Sequence, residues 1–229
     1  MSVKRLLHKL VEAGPGIVAA IAIERLVTAI SCAWSTACLK IKLRALGCSH
    51  GRGLSADGRV VVRVRARGAI RLGDHVTLKS RFRSNLVGLT GPTVLECGRR
   101  GQIVIGDHSG CSGAVLSSRS RIEVGRNVNI GGNARIFDHD FHSLDATIRR
   151  DPQRDFEEAA TAPIAIGDDV FIGAHALILK GVQIGARAVI GAGAVVSMRQ
   201  VPADALVAGN PGRVVRLLTT TPPSARPTP

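Results

Sequence analysis

The stretch Pro163–Arg199 reads PIAIGDDVFIGAHALILKGVQIGARAVIGAGAVVSMR, and its spacing decides the fold. Ile166, Ile172, Ile178, Ile184, Ile190 and Val196 follow one another at intervals of six. Ile164, Val170, Ala176, Val182, Ala188 and Ala194 stand two places ahead of each, so two apolar columns run side by side. Side chains alternate faces along a strand, so a period of six keeps the same side inward in every repeat. A helix does not return to the same face after six residues. Gly167, Gly173, Gly185 and Gly191 follow four of the aliphatics, where glycine suits a sharp bend at the end of a short strand. A unit this short cannot enclose its own inward residues and must stack on its neighbours. The expected fold is mainly β, a solenoid of very short parallel strands.

Working outward, the register recurs upstream at Val124, Ile130 and Ile136, and at Ile105-Gly106 with Cys111 six later. Ile70, Leu72, Val76 and Leu78 around Gly73 read as a first pair of repeats, after an alternating strand that begins at Val60. Between them Arg81 to Gly101, with Gly91-Pro92, breaks the count and reads as irregular turns. His142 is the next position after Ile136, and the repeat then stops until Pro163. The charged excursion Ser143–Ala162 is long enough to suggest a functional loop.

The N-terminal residues differ. Lys4, Arg5 and Lys9 open a basic segment, Gly14-Pro15-Gly16 breaks it, and Ile17 to Leu46 reads as a helix. Its longest uncharged run, Leu26 to Leu39, is shorter than the roughly 20 residues that span a bilayer. Two placements stay open: a helix in the membrane interface with its basic residues on lipid headgroups, or a helix packed on its own oligomer. The expected division is a basic helical segment over 1–50, the solenoid over 51–217 with a loop at 143–162, and a disordered tail over 218–229.

Composition narrows the partners. A formal charge of +14 points to nucleic acid, an anionic membrane face or a polyphosphorylated cofactor. Nucleic acid is set aside, because the chain lacks aromatic stacking platforms, zinc-finger spacing and a helix-turn-helix pattern. The absence of Tyr and the scarcity of other aromatics fit a narrow interior filled by Ile, Val and Ala. Five cysteines without CxxC spacing read as free thiols in a reducing cytoplasm. No cleavable signal peptide is evident.

With the repeat, the segments FDHDFHSLD (137–145), IGDDVFIGAHALI (166–178), IGAGAVVS (190–197) and VPADALVAGNPGRVVR (201–216) carry a family resemblance. From Gly58 to Leu217 the chain resembles the hexapeptide-repeat acyltransferases, and within them the branch that O-acetylates sugars: the maltose, galactoside and exopolysaccharide acetyltransferases. The resemblance implies a left-handed parallel β-helix of triangular section, acetyl-CoA as acyl donor, a saccharide or glycolipid acceptor, and a homotrimer with each site between two subunits. It implies no metal. The expected location is the cytoplasm, with peripheral contact at the inner membrane face.

Transfer of an acyl group from a thioester to a hydroxyl needs a base for the hydroxyl proton, and imidazole suits that task near neutral pH. The candidates are His139 and His142, and the resemblance favours His142, which is followed by Ser143, Leu144 and Arg149. Asp138 or Asp140 would orient the imidazole, and strand alternation puts both acids on the side of His142 if the chain stays extended. The resemblance places Asn133 and Arg149 on the acceptor. For coenzyme A it implies backbone access at Gly173 and Ala174, Ala192 along the pantetheine arm, Ser197 and Arg199 in the last coil, and Arg213 and Arg216 near the nucleotide phosphates. A backbone N–H near Gly173-Ala174 would serve the oxyanion. Three other readings compete: N-acylation of an amino sugar, a scaffold with no need of coenzyme A, and a metal site like that of the β-helical carbonic anhydrases. The last needs three converging histidines and two of them five apart, whereas His139 and His142 are three apart.

Overall fold

The structure, a computed structural model, describes residues 14–218. The N-terminal basic residues and all but the first residue of the expected tail lie outside them. Three sheets of seven, eight and six strands, parallel but for one closing strand, wrap one core, and each turn of the chain adds one strand to each sheet. The first sheet stacks Ser49–His50, Ile70–Leu72, Gln102–Ile105, Arg121–Val124, Ile164–Ile166, Gln183–Ile184 and Gln200–Val201. The second runs from Ser55–Asp57 to Ala205–Ala208 and is closed by the antiparallel strand Arg213–Leu217. The third runs from Val61–Val64 to Val195–Val196. The fold is the left-handed β-helix with an N-terminal helical extension.

The six-residue columns are the interior. Ile136 pairs with Ile178 and Ile178 with Val196, while Ile130, Ile172, Ile190 and Val207 form a second ladder. Those side chains are nearly or wholly buried, as are the alanines and valines two places before them. Each large aliphatic so enclosed contributes roughly 1.5–3 kcal/mol.

The glycines do a different job from the one expected of them. At seven bends the left-handed residue stands two places after a glycine, and at an eighth two places after Pro202: His75, His108, Asn127, Asn133, Asp169, His175 and Arg187, then Asp204, have φ of 56–60°. Asn, Asp and His tolerate that region best among residues with a Cβ. The glycines are needed because the coils approach too closely there. A Cβ on Gly173 would lie 2.5 Å from the Ala192 nitrogen, and one on Gly131 would lie 2.6 Å from that of Ala174.

Two strands precede the alternating one at Val60. Ser49–His50 and Ser55–Asp57 form a first coil, with Leu54 and Ala56 buried in the two apolar columns. Its polar His50, which pairs with Leu72, hides the repeat. Helix Gly14–Ala45 lies against this coil by its C-terminal half only. Leu39 and Leu43 are buried, Thr36 Oγ1 accepts from the Ala56 N–H at 2.9 Å, and Arg81 donates to Ser31 Oγ at 2.9 Å. The N-terminal half leaves Ile17, Ile23, Leu26 and Val27 exposed. Gly16–Ala45 is long and apolar enough to cross a membrane, with mean hydropathy 1.8 over an 18-residue window.

Candidate active site

The chain leaves the third sheet after Phe137 and returns to the first at Ile164. The excursion is ordered. It contains the 3₁₀ turn Ile148–Arg150 and the helix Pro152–Glu158, started by Asp151, whose carboxylate accepts from the N–H groups of Gln153 and Arg154. Asp-Pro is a helix-start signal that the charge of this segment obscured.

His142 sits on this excursion with its side chain 72% exposed, and Nδ1 lies 2.6 Å from Asp155 Oδ2. Asp155 is buried, and its other oxygen accepts from the Ser143 N–H at 2.7 Å. The His142 hydrogen bond, then that N–H, hold the Asp155 carboxyl below the usual carboxylate range. An ionised carboxylate only accepts, so Nδ1 carries a proton toward it, and in the neutral ring the lone pair is then on Nε2.

This corrects the expected orienting acids, for neither Asp138 nor Asp140 bonds His142. Asp138 is wholly buried and accepts from Ser118 Oγ and the Arg119 and Ser120 N–H groups at 2.7–2.9 Å. Asp140 pairs with Lys180 Nζ at 2.7 Å. The alternation argument fails because the strand ends at Phe137. His139 is also buried, with Nε2 3.3 Å from Ser117 Oγ. Burial, then the nearby Arg119 charge, lower its pKa from 6.5. His142 is the exposed imidazole of the two.

The expected acceptor residues are engaged internally. Asn133 Oδ1 accepts from the Thr90 N–H and hydroxyl, and its Nδ2 donates to Gly88 O at 2.8 Å, anchoring the loop before Val94. Arg149 donates to the Ser143 and Leu144 carbonyls at 2.7 and 2.8 Å and shapes the excursion.

Gly173, Ala174 and Ala192 share the edge where the second sheet turns into the third, and Gly212-Arg213 follows on that edge. The Gly173 N–H donates to Ile190 O at 2.7 Å, while that of Ala174 makes no hydrogen bond among the described residues. Ser197 and Arg199 lie where the third sheet turns into the first, the edge that also carries the His142 excursion. Arg216 lies on the exposed closing strand. Within one chain the candidate base and the candidate pantetheine groove thus occupy different edges of the prism.

The sequence reading missed Asp155 and Lys180. All five cysteines are free, and burial pushes the Cys97 and Cys111 thiols up to about 12. Among the described residues no group of three or more His, Cys, Asp or Glu converges as a metal site.

Residues 163–197 match the family model described as the hexapeptide repeat of succinyl-transferase. A 2,3,4,5-tetrahydropyridine-2,6-dicarboxylate N-acetyltransferase of Staphylococcus aureus is 48% identical over 60 residues, which are 26% of this chain and 25% of that enzyme. The chain therefore aligns with about a quarter of the length of the curated relatives it matches. A hexapeptide-repeat acetyltransferase of Vibrio cholerae, solved with acetyl-coenzyme A, is 28% identical with a TM-score of 0.50, covering 77% of this chain and 74% of its own. An N-acyltransferase from Bacillus cereus, solved with dTDP and 3-hydroxybutyryl-CoA, shares the fold at 20% identity and a TM-score of 0.58, covering 79% and 88%. Residues 163–197 thus match a hexapeptide repeat, and the chain shares the β-helical fold of these acyltransferases.

Proposed function

We propose that the protein is an acyltransferase that moves the acetyl group of acetyl-CoA onto a saccharide hydroxyl without a covalent acyl-enzyme. The observation that carries this reading is the His142–Asp155 pair, an exposed imidazole held at Nδ1 by a buried carboxylate. Nε2 takes the proton of the attacking hydroxyl as the oxygen bonds to the thioester carbonyl. Asp155 stabilises the imidazolium that forms, and the proton passes to the departing thiolate. The unpaired Ala174 N–H is the donor for the oxyanion. Because Ala174 and His142 stand on different edges of one chain, the proposed site joins two subunits of a homotrimer. Asp138 and Asp140 hold the start of the excursion in place; Ser197, Arg199, Arg213 and Arg216 supply charge and hydrogen bonds toward coenzyme A.

The second acceptor class is an amino sugar; acylation of nitrogen, without the sugar, is what the relative named an N-acetyltransferase supports. The same base serves an amine nucleophile. For location we propose the cytoplasm, with the exposed apolar half of helix Gly14–Ala45 on the inner membrane face and basic side chains on anionic headgroups.

Calorimetric titration with acetyl-CoA and with dephospho-CoA tests the cofactor. Micromolar binding of acetyl-CoA that weakens without the 3′-phosphate is expected, and no binding by the folded protein would move the reading to a scaffold.

A further inference from the structure

Arginines mark one edge of the prism through successive coils. Arg65 follows the strand Val61–Val64, Arg99 and Arg100 follow Val94–Cys97, and Arg119 follows Val115–Ser118. Val64 pairs with Cys97 and Cys97 with Ser118, so coil stacking sets these side chains above one another at the strand spacing of about 4.8 Å. Together with Phe156, Glu157, Ala159 and Thr161 they line a hollow of about 720 Å³.

The charges in this hollow are unbalanced. Among the described residues none of these four guanidiniums is in an ion pair, and Glu157 is the one carboxylate in the lining. On the edge between the first and second sheets the arginines come with their own aspartates: Arg52 with Asp74, Arg126 with Asp168, Arg187 with Asp204. Like charges held side by side repel unless an anion joins them. Arg119 is also fixed, donating to Phe156 O at 2.9 Å with its guanidinium 4.1 Å over the Phe156 ring.

The hollow adjoins the candidate base. Thr161 bridges to His139, and the helix that contributes Phe156 and Glu157 contributes Asp155 to His142. Resting on the acetyl-transfer reading, we propose that this arginine-lined hollow is the subsite for a diphosphate carried by the acceptor, which is then a diphosphate-linked sugar. A carboxylate engages one guanidinium and leaves the others uncompensated. A diphosphate spreads two or more charges over several oxygens and is held by several guanidiniums at once. A nucleotide and a lipid carrier both supply that group.

The test is titration of the full chain, saturated with coenzyme A so that any cofactor-phosphate site is filled, with inorganic pyrophosphate. The chain is expected to bind pyrophosphate, and Arg99→Gln/Arg100→Gln to bind it roughly tenfold more weakly or worse. The affinity of both proteins for acetyl-CoA is expected to be the same. UDP and farnesyl diphosphate form two further arms, and the one bound more tightly than pyrophosphate names the source. Equal pyrophosphate affinity in the double variant, absence of pyrophosphate binding by the unsubstituted chain, tighter binding of galacturonate, or binding of neither UDP nor farnesyl diphosphate would each overturn the proposal. Failure of acetyl-CoA to bind would count against the acetyl-transfer reading instead. The comparison with pyrophosphate alone would still decide the subsite.

Discussion

Two neighbouring histidines have opposite environments, and the difference follows from where the strand ends. His139 is the second residue beyond Phe137 and is still held against the coil, packed edge-on to Phe141 with Nε2 on Ser117. His142 is three residues farther on and stands in solvent with one nitrogen anchored. The buried ring resists protonation, so its folded pKa lies below 6.5. The unfolded chain therefore binds the proton first as pH falls through about 6.5. Stability is complete above that value and is lost as pH drops toward the lowered folded pKa. The melting temperature of the wild-type chain is expected to decline as pH falls below about 6.5. In His139→Gln that decline is expected to be shallower. A decline of the same steepness in both proteins would refute the assignment to His139. The Asp145, Asp155, Asp168 and Asp204 carboxyls, held low by hydrogen bonds and charge, act in a separate window below about pH 4.

At the scale of the element, the repeat unit is aliphatic, glycine, any residue, then a left-handed residue. The glycine answers to the neighbouring coil and the left-handed residue answers to the bend. Gly173→Ala pushes a methyl onto the Ala192 nitrogen and is expected to cost about 1–3 kcal/mol, read from denaturant unfolding. His175→Asn keeps a residue that accepts φ near +60° and is expected to be close to neutral. Equal losses in the two variants would contradict this division of labour. The columns and the turn at each sixth residue were legible in the sequence because one inward aliphatic per strand is all that a narrow coil needs. The first coil was not, since His50 stands where the ladder has Leu72, and Asp155 was not, since it is 13 residues from the histidine it holds. Local alternation cannot report a contact made by a loop folding back.

Across the whole molecule, the two ends of the chain present different surfaces. The C-terminal coils are small-residue turns around Gly173, Ala174 and Ala192. The N-terminal coils carry arginines and a helix whose outer half is apolar and exposed. That helix was legible as a helix from its composition, while its hydroxyl bonds to the first coil needed the fold. Flotation with vesicles containing anionic lipid is expected to carry the full chain upward. Ile23→Lys/Leu26→Lys is expected to remain with the soluble fraction while its β-helix melts unchanged. Flotation of that variant like the wild type would contradict membrane contact through this face.

The central claim is that His142, held by Asp155, is the base of an acetyl transfer. The most direct measurement is acetyl-CoA-dependent acetylation of a panel of sugars and diphosphate-linked sugars by the wild-type chain, His142→Ala and Asp155→Asn. Loss of kcat/KM by roughly 10²–10⁴ in His142→Ala is predicted, with a smaller loss in Asp155→Asn and unchanged acetyl-CoA binding in both. Undiminished acetylation by His142→Ala would contradict the account.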